Sequence, residues 1–344
     1  MVSLSDVLAS NAQITTTLPK GLVAVLAGAT NGIGEITLKT LVKYATAPRV
    51  YLFARNPASA ERVIVECRQL NPQGQYTFIK ADLSLIKDAD RACEEVKRKE
   101  KLVNLVVLSA GELSLQRNLT PEGLLDLLAS STYTRIRIAQ NLLPLLSTAA
   151  RTTALARVIN VAAAGKEGDM ITSDIGALNI PLYRIRPHLA SLHTLALEKL
   201  AEQAPDVSFL HDFPGAVYTN LHKNAAGFVG FLFRVFFTTV HTLLGNWMFV
   251  PIEECGERHV FFATSGRYPP REGKAIGVPQ IGGAIARGSD GNSHSGVYSV
   301  GWDGEGPAKG AELALKELRK KGVPDLVWDH FIGEFERVSK STTT

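Results

Sequence analysis

A glycine-rich turn that directly follows a short apolar run is the feature that most constrains this chain. Residues 22–27 are all apolar, and they lead into Gly28-Ala-Thr-Asn-Gly32-Ile-Gly34. A helical pattern continues from the last glycine to residue 44. A buried strand, a glycine turn and a helix in this order predict a dinucleotide-binding turn. The glycines let the backbone turn tightly, approach a pyrophosphate and pack the helix against the strand.

Apolar runs and helical patterns continue to alternate along the chain after this turn. Alternation at this spacing predicts an α/β fold, a Rossmann-type doubly wound parallel sheet with helices on both faces. The segments after residue 222 predict a C-terminal helical lid and tail. The predicted strands are 22–27, 49–54, 76–81, 102–108, 157–161, 207–212 and 297–300, and the predicted helices are 34–44, 58–70, 89–99, 121–146, 188–204, 251–265, 311–321 and 327–338.

Length and composition indicate one domain and exclude several classes of protein. The 344 residues are predicted to form a core at 20–222, followed by a lid and C-terminal extension at 223–344. The formal net charge of +4 is spread along the chain, so no nucleic-acid surface is predicted. Three distant cysteines indicate a reducing compartment, and residues 1–20 lack a signal-peptide pattern, so we expect a cytoplasmic protein. The sequence contains no metal-ligand motif.

The end of the second predicted strand bears on the choice of dinucleotide. Arg55-Asn56 stands there, without an Asp or Glu. An acidic residue at this point binds the ribose 2′-hydroxyl of NAD, whereas an arginine accommodates the 2′-phosphate of NADP. A surface arginine is the alternative interpretation. The residue types favour NADP(H).

Several motifs resemble those of the short-chain dehydrogenase/reductase family. The glycine turn is similar to the family's phosphate loop, and Ser109-Ala110-Gly111 is similar to its Asn-Ala-Gly turn. The segment that starts at Pro214 resembles the one beside the nicotinamide. The resemblance implies an NADP(H) cofactor, either working or vestigial, and shorter stretches resemble a divergent group from fungal natural-product pathways. The residues implied to bind the cofactor are Gly28, Thr30, Asn31, Gly32, Ile33, Gly34, Arg55, Asn56, Asp82, Leu83, Ala110, Gly111, Pro214, Gly215, Val217 and Thr219.

The positions of the family's catalytic Asn-Ser-Tyr-Lys tetrad depart from its pattern. Ala163 stands at the serine position, where it cannot donate a hydrogen bond, and Ser131 stands at the asparagine position. The Tyr-x-x-x-Lys position falls near Tyr183 and His188, so a tyrosine is nearly in place and a lysine is absent. Pro187 disfavours a helical residue before it, which predicts that Tyr183 lies off the helix.

Several other acid–base groups have either a catalytic or a purely structural interpretation. Asp212 is a candidate because a carboxylate at that strand end can be buried with a raised pKa. The candidate catalytic residues are therefore Tyr183, His188, Ser131 and Asp212. Glu112 and Glu167 are expected to be rim charges, His193 and Glu198 to lie on a helix surface, His211 to be packed in the core, and Tyr133 to serve packing or, less readily, to face the pocket.

Three functions stay open at this point. The altered tetrad favours a non-redox enzyme, such as a cyclase, isomerase or pericyclase, acting on a hydrophobic small molecule. The second is an NADPH-dependent carbonyl reductase in which Tyr183 donates the proton and His188 replaces the lysine. The third is an inactive scaffold.

The segment 225–250 is apolar, with Arg234 as its only formal charge. Its position predicts a lid over the substrate. A segment that dips into a membrane surface to collect a lipophilic substrate is the alternative, and a transmembrane span is disfavoured. The sequence leaves open whether two copies of the chain form a homodimer.

Overall fold

The centre of the molecule is a seven-stranded sheet. A computed structural model describes residues 1–111, 117–217, 249–280 and 284–341 of the chain. The strands are β1 Val23–Ala27, β2 Arg49–Ala54, β3 Gln75–Lys80, β4 Leu105–Leu108, β5 Arg157–Val161, β6 Ser208–Asp212 and β7 Val297–Val300. Their order is β3-β2-β1-β4-β5-β6-β7, and every neighbouring pair is parallel.

Helices cover both faces of this sheet. The buried side chains of α1, α3, α4 and α9 join one core cluster, and those of α5, α7, α8 and α11 join the other. Strands covered on both sides read as continuous apolar runs, as β1 does. The helices are α1 Leu4–Ala12, α2 Ile14–Thr17, α3 Gly32–Tyr44, α4 Pro57–Leu70, α5 Ile86–Lys99, α6 Asp126–Leu128, α7 Thr134–Thr152, α8 Leu182–Gln203, α9 Ile252–Thr264, α10 Lys309–Lys320 and α11 Val323–Lys340.

The doubly wound α/β prediction is confirmed. The chain adds β2 and β3 on one side of β1, and then crosses to the other side to add β4 to β7. The direction of winding reverses between β1 and β4, and such a reversal opens a crevice at the carboxyl ends of the strands. The sheet topology therefore creates a binding crevice before any side chain is considered.

The predicted helix 121–146 is wrong at both ends. Residues 119–125 form a turn, in which Thr120 N–H donates to the carbonyl of Leu124 and Gly123 adopts a φ of 75°. The helical stretch starts at α6, passes through a π-helical turn at Ala129–Tyr133 and continues as α7. Thr134 Oγ1 donates to the carbonyls of Ala129 and Leu83, which ties this wide turn to the loop after β3.

The prediction that Tyr183 lies off the helix is also wrong. Helix α8 begins at Leu182 and includes Pro187, six residues before the 188–204 helix that the pattern predicts. Arg184 N–H donates to the carbonyl of Pro181 and closes the first turn (2.9 Å). Pro187 removes only one backbone hydrogen bond near an exposed helix start, which limits its cost.

The C-terminal part contributes both a strand and helices to the domain. Strand β7 and helices α9, α10 and α11 form close to their predicted positions. Arg157 Nη1 donates to the carbonyls of Phe262 and Ser265, and Nη2 to that of Tyr268, so a buried arginine ties the end of α9 to β5. Most of the predicted lid, 225–248, lies outside the described residues. No helix in the described part of the chain has the length and hydropathy to span a bilayer.

Candidate functional site

A cavity of about 510 Å³ lies along the carboxyl ends of the strands, across the point where the winding reverses. It extends from the end of β2, over β1 and β4, to the ends of β5 and β6. Four spacings of about 4.8 Å give this row of strand ends a width of roughly 19 Å. Its lining consists of Gly28, Thr30, Asn31, Gly32, Ile33, Gly34, Phe53, Ala54, Arg55, Asn56, Leu83, Ser84, Ser109, Ala110, Gly111, Asp126, Ser130, Ser131, Arg135, Val161, Ala162 and Pro214.

The glycine turn after β1 forms one wall of this cavity. Gly28 has a φ of 94°, and a Cβ there would overlap the backbone nitrogen of Ala110. A Cβ at Gly34 would stand 2.7 Å from the carbonyl oxygen of Gly28 and would also overlap Ser109 Oγ. Gly32 begins α3, so the N-terminal end of that helix opens on the cavity. Bare backbone at a helix N-terminus fits a pyrophosphate.

Arg55 and Asn56 lie at the β2 end of the cavity. Asn56 Oδ1 accepts a hydrogen bond from Ser59 N–H (3.0 Å) and caps α4. Arg55 is exposed to solvent at the cavity rim. A guanidinium at the rim of a cavity can offer a phosphate two parallel, charge-assisted N–H hydrogen bonds.

The end of β3 supplies Leu83 and Ser84 to the cavity, whereas Asp82 does not line it. The Asp82 carboxylate instead accepts hydrogen bonds from Ser84 N–H (3.0 Å) and Ser84 Oγ (2.8 Å). Asp82 thus shapes the loop whose next two residues face the cavity. Asp82, a predicted cofactor-binding residue, therefore lies behind the wall of the cavity and does not form part of it.

A buried arginine, Arg135, closes the opposite end of the cavity. Its Nε donates to the carbonyl of Ala110 (2.7 Å), and Nη2 donates to the same oxygen. Nη1 donates to Asn160 Oδ1 (2.9 Å) and to the carbonyl of Val161 (2.6 Å). Burial lowers the pKa of Arg135 to about 9, so the guanidinium stays charged at neutral pH. The sequence patterns do not single out this residue, although it stands four residues after Ser131 and therefore shares its helix face.

Arg135 also fixes the hydrogen bonding of the groups beneath it. Because an arginine only donates, Asn160 Oδ1 must accept and Asn160 Nδ2 must donate to His193 Nδ1 (2.8 Å). His193 then carries its proton on Nε2, which donates to Thr132 Oγ1 (2.7 Å). Burial lowers the pKa of His193 well below its usual value, with His211 and Arg135 adding to the effect. The prediction that His193 lies on a helix surface is wrong.

Of the predicted catalytic residues, only Ser131 lines the cavity. Its Oγ donates to the carbonyl of Leu127 (2.5 Å). Tyr183 is 82% exposed and is not part of the lining. His188 is fully buried, where Nδ1 accepts from Ile171 N–H (3.2 Å) and Nε2 donates to the carbonyl of Ile175 (3.0 Å), so it holds a loop together away from the cavity.

Asp212 is fully buried and faces α9 rather than the cavity. Its Oδ2 lies 2.9 Å from His259 Nε2, and His259 Nδ1 donates to the carbonyl of Cys255 (2.6 Å). Burial alone would lower the pKa of His259, but Cys255 and the Asp212 carboxylate outweigh it and raise that pKa well above the usual value. The geometry makes Asp212 one member of a buried ion pair.

The loop after β5, where the family's serine position falls, is held by a second polar network. Ala163 N–H donates to His211 Nε2 (3.1 Å), and His211 Nδ1 contacts Thr194 Oγ1 (2.8 Å). Thr194 Oγ1 donates to Glu167 Oε1 (2.8 Å). Glu167 is buried, so the rim prediction for it is wrong, while His211 is a core histidine as predicted. Ala163 adds no polar side chain to the cavity.

The remaining predicted residues have varied outcomes. Pro214 lines the cavity, whereas Gly215 and Val217 do not, and Thr219 and Glu112 lie outside the described residues. Glu198 is partly buried and pairs with Arg319 (2.6 Å) rather than standing free on a helix surface. Tyr133 is buried away from this cavity, with its hydroxyl 2.6 Å from His330 Nε2.

A bare glycine turn at the reversal point of a doubly wound parallel sheet defines a Rossmann-type fold. A model of the short chain dehydrogenase family matches residues 22–171. A protein of Emericella nidulans named an oxidoreductase is 37% identical over 96% of this chain and 97% of its own length. A short-chain dehydrogenase/reductase of Stachybotrys chartarum is 30% identical over 95% of this chain and 96% of its own length. The chain belongs to the short-chain dehydrogenase/reductase family.

Solved structures of the family share the fold. A short-chain type dehydrogenase/reductase from Mycobacterium ulcerans superimposes with a TM-score of 0.53 at 13% identity, covering 71% of this chain and 84% of that one. A short-chain dehydrogenase from Sphingobium yanoikuyae, solved in complex with NADPH, gives a TM-score of 0.50 at 16% identity over 70% of this chain and 84% of that one. At these identities the likeness shows the fold alone.

Proposed function

We propose that the cavity binds NADP(H). The glycine turn fits a pyrophosphate because it lines the cavity with bare backbone at the N-terminal end of α3, and Cβ atoms at Gly28 and Gly34 would disrupt the turn by overlapping its neighbouring atoms. Arg55 stands at the β2 end of the cavity, where an adenosine ribose with a 2′-phosphate would need a cation. When bound, NADP(H) can supply or accept a hydride. The chain's own residues would hold it in the order Arg55, glycine turn, Arg135.

On this basis, the chemistry that we propose is a non-redox rearrangement of a hydrophobic small molecule, as in cyclases and isomerases. One observation carries this proposal. Among the described residues, the cavity lining contains no tyrosine, lysine or histidine, and Ala163 lacks the hydroxyl of the family's serine. A reduction needs a proton donor beside the carbonyl that receives the hydride. A rearrangement needs shape, fixed hydrogen bonds and charge, which the serines and Arg135 supply.

The elemental composition of the accumulated metabolite tests this proposal even when the substrate is unidentified at the outset. Disruption of the gene in its source organism leaves the substrate to accumulate, and accurate mass spectrometry compares it with the metabolite lost. An isomerisation or cyclisation predicts the same composition for both. A difference of two hydrogen atoms would overturn the non-redox proposal.

A second candidate is an NADPH-dependent reductase, favoured by the names of the relatives. The matching proteins from Emericella nidulans and Stachybotrys chartarum are named as an oxidoreductase and a dehydrogenase/reductase. The same experiment separates the two, because a reductase predicts the two-hydrogen difference. An unchanged metabolite profile would instead support the third alternative, a protein without catalytic activity.

A further inference from the structure

We propose that Arg135 makes this site select the reduced form of the nicotinamide dinucleotide over the oxidised form. The proposal rests on the proposed binding of NADP(H). It concerns the redox state of the ligand, which neither the fold nor the glycine turn determines. Its physical basis is the placement of two arginines in the cavity.

Arg55 and Arg135 stand at opposite ends of one cavity. Arg55 follows β2, Arg135 bonds to the ends of β4 and β5, and the glycine turn after β1 lies between them. A dinucleotide with its 2′-phosphate at Arg55 and its pyrophosphate at the glycine turn has only the far end left for its nicotinamide. Of the cations in the described cavity lining, Arg135 is therefore the one at the nicotinamide end.

The charge of Arg135 is not neutralised by its hydrogen-bond partners. Its acceptors are the carbonyls of Ala110 and Val161 and the amide oxygen of Asn160, all of them uncharged. In the described ranges, no carboxylate lies within ion-pair distance of it. Asp212, whose charge acts on Arg135, is itself paired with His259. Asp126 is the carboxylate of the described cavity lining, and it sits on α6, one turn before Ser130.

One N–H group of Arg135 remains available at the cavity. The guanidinium has five N–H groups, and four of them are used by Ala110, Asn160 and Val161. A Cβ at Gly111 would stand 3.1 Å from Arg135 Nη2, so the bare glycine leaves that nitrogen uncovered. The residue itself is only 5% exposed, which keeps water from screening its charge.

A buried positive charge distinguishes the two forms of the cofactor. The oxidised nicotinamide ring carries a positive charge, and the reduced ring is neutral. Repulsion between two unit charges about 10 Å apart, at an effective dielectric constant of about 20, weakens binding of the oxidised form about tenfold. By linkage, a tenfold preference raises the reduction potential of the bound couple by about 30 mV. The site would thus hold a dinucleotide that is less ready to give up its hydride.

The experiment compares dissociation constants of NADPH and NADP⁺ by isothermal titration calorimetry. The wild type is expected to bind NADPH about tenfold more tightly. Arg135→Met is expected to bring the ratio close to one, and Arg135→Lys, which keeps the charge, to preserve most of it. Arg55→Gln is the matched control, because both nucleotides carry the 2′-phosphate, so both should weaken and the ratio should stay.

Circular dichroism and thermal unfolding first establish that each variant folds. If Arg135→Met does not fold, Arg135→Gln replaces it, since the amide can still donate to the carbonyl of Ala110. A wild-type ratio of one, or a folded uncharged variant with the wild-type ratio, would overturn the inference and leave the proposed dinucleotide binding intact. If the wild type binds neither nucleotide, the proposed function itself fails and the inference fails with it.

Discussion

Gly28 is a position where the geometry of the cavity requires a glycine. Its φ of 94° is strained for any other residue, and a Cβ would overlap the turn after β4. Gly28→Ala is expected to lower the free energy of unfolding by about 2 kcal/mol or more and to abolish NADPH binding. Urea unfolding and calorimetric titration measure the two effects.

Gly333 provides the matched control for that substitution. It lies within α11, is exposed, and has nothing within 4 Å of the place where a Cβ would stand. Gly333→Ala should raise the free energy of unfolding by about 0.5–1 kcal/mol, because alanine favours the helix. If Gly28→Ala behaved like Gly333→Ala, the close approach of the two turns would be wrong.

The buried pair of His259 and Asp212 gives stability a defined pH dependence. The pKa of His259 is raised in the folded protein, so the folded state binds the proton more tightly than the unfolded state. Its contribution is therefore fully present below a pH of about 6.5 and is lost as the pH rises through the folded-state pKa. The difference in free energy of unfolding between wild type and His259→Gln should shrink from pH 6 to pH 9.

Asp212→Asn serves as the comparison, because it removes the carboxylate 2.9 Å from His259 Nε2, one of the two groups that raise the pKa of His259. In that background the His259→Gln difference should vary less with pH than it does in the wild type. A difference that stays constant across the range in the wild type would show that His259 is not protonated in the fold.

For individual residues, the sequence predicts a place in the site only where the backbone geometry requires one residue type. The glycines of the turn could be predicted because no other residue fits there. Asp212 and His188 could not be placed, since a strand or helix position does not reveal which layer a side chain faces. The sequence does not identify Arg135, because a charge within an apolar helix predicts an exposed residue, whereas the fold buries it among carbonyl acceptors.

Among the elements, α11 packs against α5 and α8, two of the helices that cover one face of the sheet. Phe331 is fully buried there, with its ring 5.4 Å from that of Tyr133 and 5.9 Å from that of Phe335. Phe331→Ala is expected to lower the free energy of unfolding by about 3–5 kcal/mol, because the cavity left behind cannot close. Denaturant unfolding followed by circular dichroism measures the change.

Leu326 is the control on the same helix. It is 48% exposed, and Leu326→Ala should change the free energy of unfolding by no more than about 0.5 kcal/mol. Equal effects of the two substitutions would mean that α11 does not pack against the domain through Phe331.

Elements with a strong apolar period could be predicted, and those shaped by tertiary contacts could not. Strand β1 and helices α3 and α4 lie within two residues of their predicted bounds. The π-helical turn before α7 depends on Thr134 bonding to the loop after β3, which no local pattern records. Helix α8 starts before Pro187, and the preceding loop is bonded to it through Ile171, Ile175 and His188, long-range contacts that the local preference of Pro187 does not record.

For the whole molecule, a bound dinucleotide should add to the stability of the fold. At a ligand concentration of 100 times Kd, NADPH is expected to raise the free energy of unfolding by about 2.7 kcal/mol. NADH lacks the 2′-phosphate that would meet Arg55, so it should raise the melting temperature less at the same concentration. Differential scanning fluorimetry compares the two.

Arg55→Gln is expected to remove the advantage of NADPH over NADH in that measurement. The guanidinium is the group assigned to the 2′-phosphate, and an amide cannot replace its charge. Equal shifts with both nucleotides in the wild type would contradict the choice of NADP(H). A retained advantage in the variant would move the phosphate contact to another residue.

The place of β7 at the edge of the sheet has a consequence for how the chain is made. Its partner β6 leaves the ribosome roughly 80 residues earlier, which is on the order of 4 to 16 s at about 5–20 residues per second. Throughout that interval β6 ends the nascent sheet with its hydrogen-bonding edge unpaired, and such an edge invites wrong pairing with other chains. Synthesis of this protein therefore includes a period in which a chaperone has most to protect.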